Sequence, residues 1–217
     1  MRIDLIELLV CPDAHEPSPL VAIAGERQGE RLMTATLGCP VCSSQFALRA
    51  GVAMFGSNAT AAVRSEYGRG DGDSSPDAMR LAAQLGLTAS GMRVALCGGY
   101  ASAADALEAL TDARCVALNA LDAREGSRVA DMMSMDATQR LPIARGALHG
   151  LVVDESHVAL LHDATRVVRA GGRIVAPAHA AVPPGCVELA RDEREWVAAV
   201  QATSTAPVAL QSGRARV

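Results

Sequence analysis

The chain has 217 residues, half of them apolar, a formal charge of −4, and only one Trp, two Tyr and two Phe. That length suffices for one α/β domain and a small appendage, with a core built from Ala, Val and Leu. A negative chain without a basic block, poor in aromatics, excludes non-specific binding to bulk nucleic acid, and the absence of any lysine excludes Schiff-base, pyridoxal phosphate and P-loop lysine chemistry.

The opening run, Met1 to Val10, carries Asp4 and Glu7 and lacks the form of a signal peptide, and no stretch approaches the roughly 18 apolar residues of a membrane span. A cytoplasmic location is expected, where thiols stay reduced. The six cysteines then read as metal ligands or buried side chains. Residues 1–56 predict one small unit. It has a short amphipathic helix (Ile3 to Leu9), a Cys-Pro turn at Cys11, a hairpin through Leu20–Ile23 and Leu32–Leu37, a Cys39-Pro-Val-Cys42 turn, and a strand from Gln45 to Leu48.

Within this unit Cys11 and His15 form one turn's worth of ligands, and Cys39 and Cys42 the other. Four such side chains suit tetrahedral Zn2+, and a unit this small needs a staple. Asp13 competes with His15 for the fourth position, and a ribbon that has lost its metal is the alternative. The order Leu8-Leu-Val-Cys-Pro12, hairpin, Cys-Pro-Val-Cys and Phe46-Ala-Leu-Arg-Ala-Gly-Val-Ala53 resembles the small zinc-ribbon subunits that activate tRNA and protein methyltransferases. That resemblance implies a structural ion, closed by four ligands, and a methyltransferase partner fused downstream.

Residues 57–75, rich in Gly, Ser and Asp, read as a linker. Ser75 is then expected to cap a helix with Pro76 at its first position, running to Leu85 before Gly86. From there strand and helix alternate: strands at Arg93–Cys97, Cys115–Leu118, Leu151–Val153 and Arg173–Ala176, and helices at Ser102–Leu110, Gly126–Met132 and His157–Ala170. The last helix carries Val158, Leu161, Thr165 and Val168 on one face, with Gly171-Gly172 as its stop. Strands Val187–Ala190 and Pro207–Leu210, flanking a helix from Asp192 to Val200, close the prediction. Apolar strands in βαβα order argue a doubly wound sheet spanning residues 76–217.

Two stretches resemble the second half of class I S-adenosylmethionine-dependent methyltransferases: Asp136-Ala137-Thr-Gln-Arg-Leu-Pro142, and the run Arg-Val-Val-Arg-Ala-Gly-Gly-Arg-Ile from Arg166 to Ile174. The resemblance implies a trimmed Rossmann-like methyltransferase sheet behind the zinc-ribbon-like domain, with S-adenosylmethionine at the carboxyl edge of the strands. It assigns Gly98, Gly99 and Tyr100 to the glycine loop, Asn119 to the ribose position and Asp136 with Ala137 to the adenine loop. The chain also departs from the family. Leu96 stands where the first acid belongs, Tyr100 and Ser102 replace two glycines, Asn119 replaces the ribose-gripping acid, and His149-Gly150 replaces Phe-Asp. Loss of two charge-assisted contacts would weaken the cofactor by about ten- to a hundred-fold each.

Asp154, Glu155 and His157 follow the fourth strand on the acceptor side, although the acids equally suit the first turn of a helix. His162 and Asp163 read as solvated, Cys97, Cys115 and Cys186 as small buried side chains, and Arg191 to Glu195 as a solvated helix face with Trp196 inward. Two functions are expected from these residues: a methyltransferase with degenerate cofactor motifs acting on an unidentified methyl acceptor, or a non-catalytic pseudo-methyltransferase that binds or regulates another enzyme. Open sheet edges would favour pairing of two copies.

Overall fold

The computed structural model describes residues 1–56, 76–120, 131–136 and 140–202, with only the backbone of Met132. The linker, Ala137, most of the helix expected at Gly126–Met132 and the strand expected at Pro207–Leu210 lie outside the described residues. Among the described residues no helix is long and apolar enough to cross a membrane.

The N-terminal part begins with a one-turn helix α1 (Ile3–Ile6), shorter than expected because Leu9 and Val10 leave it to form bridges with Ile143 and Pro19. Strands β1 (Val21–Ala24) and β4 (Ala35–Gly38) pair antiparallel, around a small inner hairpin of β2 (Arg27–Gln28) and β3 (Arg31–Leu32). β4 then pairs with β5 (Gln45–Arg49), and β5 with β6 (Val52–Met54).

Helix α2 (Ala78–Leu85) is capped by Asp77, whose Oδ1 accepts the Met79 N–H at 2.9 Å, so it starts two residues later than expected; the expected cap, Ser75, lies outside the described residues, and Gly86 ends the helix at φ +64°. Strand β7 (Arg93–Cys97) runs into a 3-10 turn (Gly98–Ala103) and helix α3 (Ala104–Thr111), followed by β8 (Arg114–Leu118). β9 (Asp131–Ser134) and β10 (Leu148–Val152) come next, so Asp131 and Met132 open a strand and do not end a helix.

After β10 a 3-10 turn (Glu155–Leu160) leads into α4 (Leu161–Val167), and β11 (Val168–Pro177) starts at once. The expected helix His157–Ala170 is therefore corrected at both ends. Val168 is already extended and in register with Leu148, and Gly171-Gly172 lies inside the strand. A Cβ on Gly172 would come within 2.7 Å of the His149 carbonyl oxygen, so glycine serves close strand approach there and not a helix stop. Asp163, expected in solvent, is buried on α4, where its Oδ2 accepts the Leu141 N–H at 2.9 Å.

The helix expected from Asp192 to Val200 is also corrected. Glu195–Val200 is a strand, β13, in a hairpin with β12 (Cys186–Arg191). Its residues read helical because the strand is buried on both faces: Trp196, Ala198 and Val200 join one core, Val197 the other. Asp192 makes the turn, its Oδ1 accepting the N–H groups of Arg194 and Glu195 at 2.8 and 2.9 Å.

One sheet results, in the order β1-β4-β5-β6-β9-β8-β7-β10-β11-β13-β12. From β9 to β11 all neighbours are parallel, and β13 lies antiparallel between β11 and β12. Numbered from β7, this is a doubly wound sheet of order 3-2-1-4-5 with a reversed last strand inserted beside the fifth, the closure the family resemblance implies. β6 adds to its edge in parallel with β9, placing Val52 opposite Met132 and Met54 opposite Ser134. Helices α2 and α3 cover one face through Leu81, Leu85 and Leu107. On the other face Leu9, Leu37 and Leu48 share a continuous core with Leu148, Ile174 and Trp196.

Candidate functional site

The Cys39 turn is built by local hydrogen bonds. The Ser43 N–H reaches the Cys39 carbonyl at 3.0 Å, the Cys39 N–H reaches the Ser44 carbonyl at 2.9 Å, and Ser43 takes φ +62°. It faces the Cys11 turn, so one ligand atom each of Cys11, His15, Cys39 and Cys42 lies within 4.8 Å of every other. Cys11 Sγ and Cys42 Sγ are 3.7 Å apart, and Cys39 Sγ is 3.4 Å from His15 Nε2. A tetrahedron with metal–sulfur bonds of about 2.3 Å has edges of about 3.8 Å, so this spacing suits a four-coordinate ion.

His15 Nδ1 donates to the Glu16 carbonyl at 2.6 Å, which leaves the Nε2 lone pair facing the sulfurs. Asp13 instead accepts from Ser44 Oγ at 2.5 Å and approaches Cys42 and Cys11 at 3.3 and 3.6 Å, outside the four-atom set. The Ser44 hydrogen bond holds its carboxyl below the usual range. Burial works against a Cys39 thiolate, but the backbone N–H groups of Cys42 and Val41 offset it and bring the thiol down to about 6.

The second site lies where β7 and β10 diverge in sequence order, the switch point at which open α/β sheets bind ligands. Gly98 turns there with φ +58°, and the Asp154 carboxylate sits over it. Asp154 Oδ2 accepts the Gly99 N–H at 2.8 Å, and Oδ1 accepts the Ser156 N–H at 3.1 Å and faces His157 Nδ1 at 2.5 Å. Burial raises this carboxyl's pKa, but the hydrogen bonds from His157 and Gly99 outweigh it and leave Asp154 below its ordinary value. Cys97, wholly buried beneath, is pushed upward by burial and by the Asp154 charge.

Asn119 is held elsewhere. At φ +50°, its Nδ2 donates to the Met135 carbonyl at 2.9 Å, and its Oδ1 accepts the Met135 N–H at 2.8 Å. The side chain thus clips the end of β8 to the end of β9. Asp136 lies against Gly56, where a Cβ would meet its Oδ1 at 2.7 Å. Gly98, Gly99 and Tyr100 are brought to Asp154, whereas Asn119 is bonded to the backbone after β9.

Tyr100 lines a cleft of about 690 Å³ with Arg80, Ser102, Asp154, Arg194 and Glu195. Its hydroxyl donates to Glu195 Oε2 at 3.0 Å, and burial followed by the Glu195 charge pushes its pKa upward. Glu195 is only 7% exposed; its Oε1 accepts from Arg80 and, at 2.7 Å, from Gln84 Nε2. This acid was expected on a solvated helix. The apolar run Trp196-Val-Ala-Ala-Val200 directly after it was the signal that it enters the sheet.

No protein-family model matches the chain, and no curated protein matches it. Among solved structures, a geranyl diphosphate methyltransferase in complex with GPP and sinefungin is similar at 16% identity and TM-score 0.40, over 46% of this chain and 42% of that one. The antibiotic-resistance methyltransferase Kmr is similar at 16% identity and TM-score 0.39, over 62% of this chain and 97% of that one. A chain from the complex of the Haloferax volcanii Trm112 methyltransferase activator is similar at 15% identity and TM-score 0.34, over 46% and 54%. The chain thus spans less than half the length of the geranyl diphosphate methyltransferase it matches. Among the described residues, the strand order and the reversed strand β13 give the sheet a methyltransferase-like fold, and a Cys3His cluster lies in the N-terminal part.

Proposed function

We infer that this chain is a non-catalytic, methyltransferase-shaped scaffold whose metal-stapled ribbon and doubly wound sheet serve to bind another protein. The observation that carries this reading is the Asp154 carboxylate on the Gly99 N–H. A cofactor reaching the glycine turn with its methionine end would have to displace an ionised side chain already held there by three hydrogen bonds. It would find no acid at Leu96 and no available amide at Asn119. The residues present therefore do not fit S-adenosylmethionine in the arrangement that the family resemblance implies.

The ion suited to the Cys11, His15, Cys39 and Cys42 set is Zn2+, and four protein ligands leave it no open position, so its role is structural. The outer strands β1 and β12 present exposed Val21, Ile23, Val187 and Leu189, apolar side chains suited to a partner. The catalytic reading keeps one observation in its favour, the cleft beside Tyr100 at the switch point.

Calorimetric titration of S-adenosylmethionine and S-adenosylhomocysteine into the zinc-loaded chain separates the two. The scaffold gives no saturable heat at millimolar ligand. A micromolar dissociation constant that Asp136→Ala weakens would establish a working cofactor site and overturn the scaffold reading.

A further inference from the structure

A second cleft, of about 590 Å³, opens at the opposite edge of the sheet, where β10, β11 and β12 begin and β13 ends. Its polar lining is Arg145, Arg166, Arg169, Thr165 and Gln201, with no carboxylate, although the chain as a whole is acidic. We propose that this cleft binds a small phosphorylated molecule, a phosphate monoester held by Arg145 and Arg169.

The three arginines differ in role. Arg166 is fixed: it donates to both Asp163 oxygens at 2.6 and 2.5 Å and to the carbonyls of Ile143 and Leu141 at 2.6 and 2.7 Å. Its charge is neutralised, and it stiffens the wall. Arg145 makes no ion pair or side-chain hydrogen bond among the described residues. Among the described residues Arg169 has one side-chain hydrogen-bonding contact, to His149, and that contact does not hold it. His149 Nδ1 accepts the Arg93 N–H at 3.0 Å, so the ring proton sits on Nε2, which faces the Arg169 guanidinium at 3.1 Å. Two donors point at each other, and the guanidinium is better served by an anion.

Cations near the end of α4 offset its dipole, which accounts for Arg166 but not for Arg145 on a separate loop. Two guanidinium forks with the Thr165 hydroxyl and Gln201 amide offer more donors than one carboxylate accepts, and match a phosphate. Val168, Val200 and Pro184 add an apolar wall for an organic body, and the volume lies within the roughly 300–1,000 Å³ of small-molecule sites.

The probe is glycerol 3-phosphate, titrated into the zinc-loaded full chain at low ionic strength. The expected result is saturable binding that Arg145→Gln and Arg169→Gln each weaken by about tenfold, the loss of one charge-assisted contact. Arg194→Gln, in the other cleft, leaves binding unchanged. The His149 ring proton supplies a second readout. Its pKa is lowered by burial and then by Arg169 and Arg93, so an anion on Arg169 raises it. No saturable heat at millimolar probe would overturn the proposal. Equally damaging would be undiminished binding by the Arg145→Gln/Arg169→Gln double variant with a native melting temperature.

Discussion

His157 Nδ1 lies 2.5 Å from Asp154 Oδ1, and the pair covers the Gly98 backbone so closely that a Cβ there would approach the Asp154 Cγ at 2.6 Å and the ring nitrogen at 2.8 Å. The glycine is thus required twice, by its positive φ and by what packs on it. Gly98→Ala is expected to lower stability by about 1–2 kcal/mol for the left-handed backbone alone, with the collision added. Chemical denaturation checks the magnitude. In the Gly98→Ala/Asp154→Ala double variant the collision with the carboxylate is gone and only the His157 ring contact remains, so the combined loss falls short of the sum of the single losses. Strict additivity would mean that the pair does not pack on the turn.

The same carboxylate gives a pH dependence. The folded-state pKa of Asp154 is depressed, so its contribution is fully present above its unfolded value of about 3.9 and is lost as pH falls through the folded value. Melting temperatures of the wild type and Asp154→Asn, measured from pH 7 down to 3, should therefore converge at the acid end. A gap of constant size would mean that the charge does not stabilise the fold. Because both proteins carry the same Cys3His cluster, acid release of any ion bound there cancels in the comparison.

Metal removal is expected to affect the whole chain at once. Leu37 and Leu48 of the N-terminal part pack in one core with Leu148 and Ile174, and β6 is hydrogen-bonded along β9. Chelation, or His15→Ala, should lower the melting temperature in a single transition rather than release an early-melting ribbon. Trp196, the only tryptophan and wholly buried, sits at the far end of the sheet with its indole N–H on the Ala180 carbonyl at 2.8 Å. Its fluorescence should follow the same curve as far-ultraviolet circular dichroism. Two separated transitions would show that the ribbon melts on its own.

The contrast between β7 and β13 shows what could be read in advance. Arg93–Cys97 is bounded by Gly91 and Gly98 and holds four consecutive buried side chains, so pattern and flanking glycines agreed. Glu195–Val200 has the same two-sided burial but follows Asp192 and a charged run, a start that suits a helix cap as well as a hairpin turn. Only the neighbours β11 and β12 decide between them. The convergence of Cys11, His15, Cys39 and Cys42 was legible because the spacing of soft ligand types in two turns is itself the signal. The fate of Asn119 was not, because whether its amide faces a ligand or the Met135 backbone depends on where β9 ends beside β8.

Asn119 also yields the sharpest test of function. If the chain were an enzyme short of one ribose-gripping acid, Asn119→Asp would restore the acid and tighten S-adenosylmethionine binding. The contacts argue the reverse. Nδ2 donates to the Met135 carbonyl and Oδ1 accepts its N–H, a reciprocal pair that only an amide completes. An aspartate would keep the second bond but set an oxygen against the Met135 carbonyl oxygen, leaving that acceptor unpaired at a half-buried site. The expected cost is about 1–3 kcal/mol, that of an orphaned polar group, with no gain in cofactor affinity. Denaturant midpoints and calorimetry on one preparation measure both. A stable Asn119→Asp variant that binds S-adenosylmethionine more tightly than wild type would return the site to the enzymes and sink the scaffold reading.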